Sequence, residues 1–95
     1  MNPTVEAILR RVADINCVNP LYATGQLTFA ADLLADLFES RDYVLPPVSE
    51  RAQIAEAFAK VQRVIDLGMK RSYRRLYTIL GVTPANLSEE AYARG

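Results

Sequence analysis

The chain has 95 residues with eleven basic and eleven acidic side chains, so its formal net charge is zero. This length is that of one domain, and a composition of 51% hydrophobic and 23% charged residues excludes a disordered tail. The neutral total argues against a dedicated nucleic-acid-binding domain, because such domains are usually basic overall.

The first predicted element is a helix that begins at Asn2-Pro3 and ends near Asn16. Asparagine is a strong N-cap residue, and a proline at the first helical position loses no hydrogen bond. Apolar residues then recur every three or four positions, as one face of a helix requires. The positions expected to be buried are Val5, Ile8, Leu9, Val12 and Ile15.

A second Asn-Pro pair, at residues 19–20, precedes the next element. Leu21 and Tyr22 lie outside the stripe that follows, and Gly25 lowers helix propensity. We therefore expect residues 19–26 to form a turn or an irregular helical entry. Loops on a rigid scaffold often carry contacts, so residues 19–22 are a secondary candidate for binding, although packing over the ends of the helices is the favoured explanation of their apolar side chains.

The second helix is predicted over residues 27–40, where the apolar stripe is strong. Phe29 and Leu33 widen this stripe beyond the surface that one neighbouring helix covers. Three carboxylates form an acidic face on the remaining side, Asp32, Asp36 and Glu39. Residues 43–47 contain two adjacent prolines and are predicted to be an extended connector, which is a further candidate contact segment.

Residues 49–80 favour one continuous helix, with Ser49 as its cap and Gly81 as its stop. The apolar stripe keeps its phase through Gly68, which two separate helices have no reason to do. The alternative is that Gly68 ends the helix and opens a hairpin. An unbroken helix would be about 48 Å long and would outrun the body of a 95-residue domain.

Such a helix would expose apolar side chains beyond the body of the domain, and a second copy of the chain is the simplest partner that could bury them. We therefore predict a homodimer built along this helix. The residues assigned to dimer packing are Phe58, Val61, Ile65, Gly68, Met69, Leu76 and Ile79.

Residues 60–75 hold six basic side chains and one acidic one, whereas residues 1–59 hold eight acids and four bases. Arginine interleaved with tyrosine is typical of protein interfaces and also of base stacking on nucleic acid, while a solvated helix face explains the charges without a partner. The residues assigned to partner binding are Lys60, Arg63, Lys70, Arg71, Tyr73, Arg74, Arg75 and Tyr77.

Catalytic patterns are sparse. The sequence contains no histidine, no glycine-rich phosphate loop and a single cysteine, Cys17, which we expect to be a buried structural thiol. No cofactor, metal or catalytic residue is therefore assigned, and the acidic face is expected to be solvated. With no signal-peptide pattern and no apolar run long enough to cross a membrane, the cytoplasm is the expected location.

These observations predict an all-α fold: one domain over residues 1–95, with three main helices and a short, frayed turn within residues 83–95. The expected function is non-enzymatic binding of another protein, as an adaptor, regulator or inhibitor does. The alternatives are a small nucleic-acid-binding regulator that uses residues 60–75, and an accessory subunit of a larger complex.

Overall fold

The computed structural model describes residues 1–65, 68–82 and 84, and these contain four α-helices and no strand. They are α1 (Pro3–Ala13), α2 (Pro20–Glu39), α3 (Val48–Ile65) and α4 (Arg71–Leu80). The predicted all-α class is confirmed. The short turn predicted within residues 83–95 falls, apart from Pro84, outside the described residues.

Both Asn-Pro pairs start a helix, and the predicted start at Asn2-Pro3 is confirmed. The Oδ1 atom of Asn2 accepts a hydrogen bond from the backbone N–H of Thr4 at 2.7 Å. Asn19 Oδ1 accepts from the N–H groups of Leu21 and Tyr22 at 3.1 and 3.2 Å. These bonds satisfy N–H groups that have no partner inside the helix, and the prolines follow at the first helical position.

The prediction that residues 19–26 are irregular is wrong, because α2 is helical from Pro20 onward. Gly25 costs about 1 kcal/mol relative to alanine in a helix. The Asn19 cap and the complete burial of Ala23 and Leu27 outweigh that cost.

Residues 43–47 are extended, as predicted, and α3 begins at Val48, one residue before the expected cap Ser49. Arg51 hydrogen-bonds to two other segments at this end of the molecule. Its Nε donates to the carbonyl oxygen of Pro46 at 3.0 Å, and its Nη1 donates to that of Leu80 at 2.8 Å. One guanidinium therefore links the extended segment of residues 43–47, helix α3 and the last turn of α4.

The favoured continuous helix over residues 49–80 is not formed, and the alternative break at Gly68 is correct. Helix α3 ends at Ile65, Gly68 has a φ angle of 82°, and α4 begins at Arg71. Positive φ is a conformation that glycine adopts without steric cost. The longest dimension of the molecule is 35 Å, which is too short for a helix of about 48 Å.

Helix α2 contacts each of the other three helices, so the core lies around it. An aromatic cluster lies beneath α4, where Phe58 packs edge-on against Tyr73 and Tyr77 with ring centroids 5.4 and 6.1 Å apart. Leu76 and Leu80 are fully buried beside these rings. A ten-residue helix is marginal in isolation, so this packing is what stabilises α4. As predicted, Gly81 ends it, in the left-handed conformation with a φ of 69°.

Candidate functional site

The structure divides the residues assigned to partner binding between surface and core. Lys60, Lys70 and Arg71 are exposed, and Arg63 and Arg74 are half-buried. Tyr73 and Tyr77 are only 2% and 1% exposed, so their assignment to a contact surface is wrong. Helix α4 turns these two rings inward with Leu76, and they cannot stack on a partner.

Both buried tyrosines keep a polar partner. The hydroxyl of Tyr77 donates to Oε1 of Gln62 at 2.6 Å, and the hydroxyl of Tyr73 lies 3.5 Å from the carbonyl oxygen of Thr24 on α2. Burial raises the pKa of the Tyr73 hydroxyl above its usual value. These contacts are structural, because they are enclosed between helices and do not reach the surface.

Arg75 binds the acidic face of α2. Its Nη2 lies 2.7 Å from a carboxylate oxygen of Asp36 and 2.9 Å from one of Glu39, while its Nη1 lies 3.5 Å from Asp32. The hydrogen bonds that the guanidinium donates to Glu39 and Asp36 raise the pKa of Arg75. The acidic face, which was expected to be solvated, and Arg75 of the basic segment therefore form one intramolecular network, here called the Arg75 network.

The residues assigned to dimer packing lie mostly inside the chain's own core. Phe58, Val61, Ile65, Met69 and Leu76 are each less than 10% exposed, and Ile79 is half-buried against the same cluster. Gly68 lies in the connection between α3 and α4. The predicted dimer seam is wrong because α4 folds back and covers the apolar stripe that a second copy was expected to cover.

An apolar surface remains on the other side of α2, and it is the best candidate site. A groove of about 150 Å³ runs between α1 and α2, here called the α1–α2 groove. It is lined by Ile8, Arg11, Val12, Ile15, Gln26, Phe29, Ala30 and Leu33. Phe29 is 64% exposed and Leu33 is 40% exposed, although both belong to a helix whose opposite side is fully buried.

The exposed apolar surface continues along α2 beyond the groove. With 3.6 residues per turn, Tyr22, Phe29 and Leu33 lie within about 40° of one another around the helix axis. We call these three residues the α2 outer face. Tyr22 is as exposed as Phe29, and a side chain added at Gly25 would meet no atom within 4 Å. The surface is therefore open over about three turns.

The α1 edge of the groove carries a positive charge. Arg11 lies on the α1 edge of the groove and is exposed, and no ion pair to it occurs within the described part of the chain. Its neighbour Arg10 faces Glu6 instead, at 3.8 Å. Gln26 is the other polar side chain that lines the groove.

Sequence reasoning did not assign the groove to a site, although one signal for it was present. Phe29 and Leu33 made the stripe of α2 wider than one neighbour covers, and it is these two residues that remain exposed. Because residues 19–26 were predicted to be irregular, the sequence did not indicate that Tyr22 lies on the same helix face.

Other kinds of site receive little support from the described residues. None of their acidic, cysteine or histidine side chains are grouped so as to hold a metal ion, and none of their helices is long and apolar enough to cross a membrane. Cys17 is half-buried, with its thiol 3.6 Å from the carbonyl oxygen of Ile15. Comparisons with protein-family models, curated proteins and solved structures find no match to this chain.

Proposed function

We propose that this chain is a non-enzymatic protein-binding domain, of the adaptor, regulator or inhibitor kind, which contacts its partner through the α1–α2 groove and the α2 outer face. The observation that carries the proposal is the exposed ring of Phe29 beside an open apolar groove. Aromatic residues next to a pocket are typical centres of binding energy in protein interfaces.

The apolar side chains at this surface could contribute as much binding energy as a hot spot does. Complete burial of a phenylalanine or leucine side chain is worth about 1.5–3 kcal/mol relative to full exposure. Phe29 and Leu33 are already partly covered, so together they would contribute about 2–3 kcal/mol, with Tyr22 adding to this. Contacts of this size distinguish a hot spot from the near-neutral contacts around it.

A protein is a better proposed partner than a nucleic acid. Nucleic-acid binding by residues 60–75 required basic side chains together with stacking aromatic rings. Tyr73 and Tyr77 are buried and Arg75 is held by three carboxylates, so this combination is lost. The exposed Lys60, Lys70 and Arg71 would serve to steer an acidic partner rather than to form the contact itself.

The absence of histidine and the single cysteine support a non-enzymatic role in a reducing compartment such as the cytoplasm. An accessory subunit of a larger complex would use the same surface. Homodimerisation through exposed surfaces remains a prediction, and its only support is now the α2 outer face rather than the helix at residues 49–80.

Photocrosslinking in the source cells tests the proposal. A photoreactive phenylalanine analogue is placed at position 29, and in a matched chain at Val64, which lies on α3 and is 65% exposed, nearly the same as Phe29. We expect a discrete crosslinked protein from position 29 and none from position 64. Equal crosslinking at both positions, or none at position 29, would overturn the proposed function.

A further inference from the structure

Helix α4 contacts α2 more extensively than it contacts α3, although α3 precedes it in the sequence. Gly68 lies in the connection between α3 and α4. We infer that α4 can exchange between two copies of this chain, so that α3 and α4 straighten into one helix and α4 packs on α2 and α3 of the second copy. The juxtaposition that carries the inference is an apolar stripe in constant phase across a glycine with a positive φ angle. Such exchange is independent of the proposed function, since it uses other residues.

The buried residues of α3 and α4 would share one face of a straightened helix. At about 100° per residue, those of α3 occupy an arc of about 160° around the helix axis. When the rotation is continued through Gly68, the buried residues of α4 fall within the same arc: Tyr73, Leu76, Tyr77 and Leu80. A straightened helix therefore keeps one continuous apolar face, and a second copy could cover the part that leaves its own chain.

The specific contacts of α4 join it to other helices, so a second copy can supply the same partners. Arg75 binds carboxylates of α2. The hydroxyl of Tyr77 donates to Gln62 on α3, and the carbonyl oxygen of Leu80 accepts from Arg51, also on α3. Exchange makes these contacts between chains instead of within one chain. The closed chain and the exchanged dimer therefore differ mainly in the backbone at the hinge and in the entropy of association.

Gly68 sets the balance between the two forms. Its φ of 82° suits the folded-back connection, and glycine adopts this angle without the steric cost that other residues incur. Glycine is also a poor residue inside a helix, so it disfavours the straightened form. A Cβ added at Gly68 would meet no described atom within 4 Å, so an alanine there acts on the backbone alone. Alanine would strain the short connection between Ile65 and Arg71, and a strained short hinge favours exchange.

The variant Gly68→Ala tests the role of the hinge. Each chain is refolded from urea at high protein concentration, because exchange requires α4 to detach from its own α2. Analytical ultracentrifugation then gives the dimer dissociation constant. We expect this constant to be at least about 100-fold lower in Gly68→Ala than in the parent, since strain and helix propensity act in both chains of a dimer. Gly25→Ala adds the same methyl group in open space on α2, and this matched control should leave the constant unchanged.

Two charge variants test whether the dimer forms by exchange. One chain carries Arg75→Glu, and the other carries Asp36→Arg with Glu39→Arg. Within each closed chain, like charges then predominate between α2 and α4, whereas in an exchanged heterodimer each α4 meets an α2 of opposite charge. Both chains also carry Gly68→Ala, or keep the parent glycine if that variant does not fold. Native mass spectrometry of the chains after mixing and refolding should show heterodimers above the share expected from random pairing.

Two results would overturn the inference. The first is a Gly68→Ala chain that keeps the helical content of the parent by circular dichroism and dimerises no more tightly than the parent. The second is random pairing, or no pairing, of the two charge variants. A dimer made through the α2 outer face would pair at random, because it leaves each α4 on its own chain.

Discussion

The two flanks of α2 differ in how completely other parts of the chain cover their side chains and pair their charges. On the α4 flank, Arg75 binds three carboxylates and the aromatic cluster of Phe58, Tyr73 and Tyr77 is closed. On the α1 flank, a groove stays open, Phe29 remains exposed and Arg11 has no described ion pair. The same helix is thus a structural element on one side and a candidate interface on the other.

This difference predicts which substitutions should change the stability of the protein and which should change its binding to a partner. A side chain that the fold has already covered contributes to stability, and truncating it should lower the free energy of unfolding. A side chain left exposed beside a groove contributes little to folding, so changing it should affect binding alone.

The largest expected effect comes from comparing two phenylalanines. Phe58→Ala removes a fully buried ring and should lower the free energy of unfolding by about 3–5 kcal/mol. Phe29→Ala should change it by less than about 0.5 kcal/mol, because most of the ring is already in solvent. Urea unfolding followed by circular dichroism measures both. Similar losses for the two variants would mean that Phe29 belongs to the core and not to an interface.

A smaller effect, of opposite sign on the two flanks, is expected from two glycines. Gly81→Ala forces an alanine into the left-handed conformation and brings its Cβ to 3.2 Å from Nη1 of Arg51, so it should destabilise by about 1–2 kcal/mol. Gly25→Ala lies in open space on α2 and should stabilise by about 0.5–1 kcal/mol. Thermal unfolding of both variants tests this contrast. A destabilising Gly25→Ala would show that the helix needs the glycine at that position.

The smallest expected effect is the pH dependence due to Tyr73. Burial raises the pKa of Tyr73 in the folded state above its usual 10.0, so the folded protein retains a proton that the unfolded chain releases. Stability is therefore unaffected by this group below pH 10 and falls as the pH rises above it. Urea unfolding at pH 9 and pH 11 should show a smaller decrease in Tyr73→Phe than in the parent chain.

Tyr22→Phe is the matched control, because it removes the same hydroxyl group from a largely exposed side chain. An identical decrease in stability for the parent and both variants would mean that the Tyr73 hydroxyl ionises freely in the folded state.

Local signals in the sequence predicted the start of α1 and the end of α4. Asn2 and Asn19 cap the starts of α1 and α2, and Gly81 ends α4 in the left-handed conformation. These features depend on a few adjacent residues, so they can be read without knowing the fold. The irregular entry at residues 19–26 was predicted wrongly because helix propensity at Gly25 was weighed without the burial of Ala23 and Leu27.

The candidate site was less accessible to prediction, because it depends on which neighbours cover each side of α2. The sequence placed Tyr73, Arg75 and Tyr77 on one basic and aromatic segment, whereas the fold buries the tyrosines and pairs the arginine with α2. Exposure of Phe29 and Leu33 follows from the position of α1, which covers only one edge of their face.

The sequence by itself determined the all-α class, the start of α1, the extended connector and the stop at Gly81. Only the tertiary structure decided that α3 and α4 are separate and that α4 packs on α2. The reason is that an apolar stripe reports which residues are buried and does not report whether the helix axis stays straight between them. A stripe in constant phase through Gly68 fits a long helix and a folded-back pair equally well, and packing against α2 selects the pair.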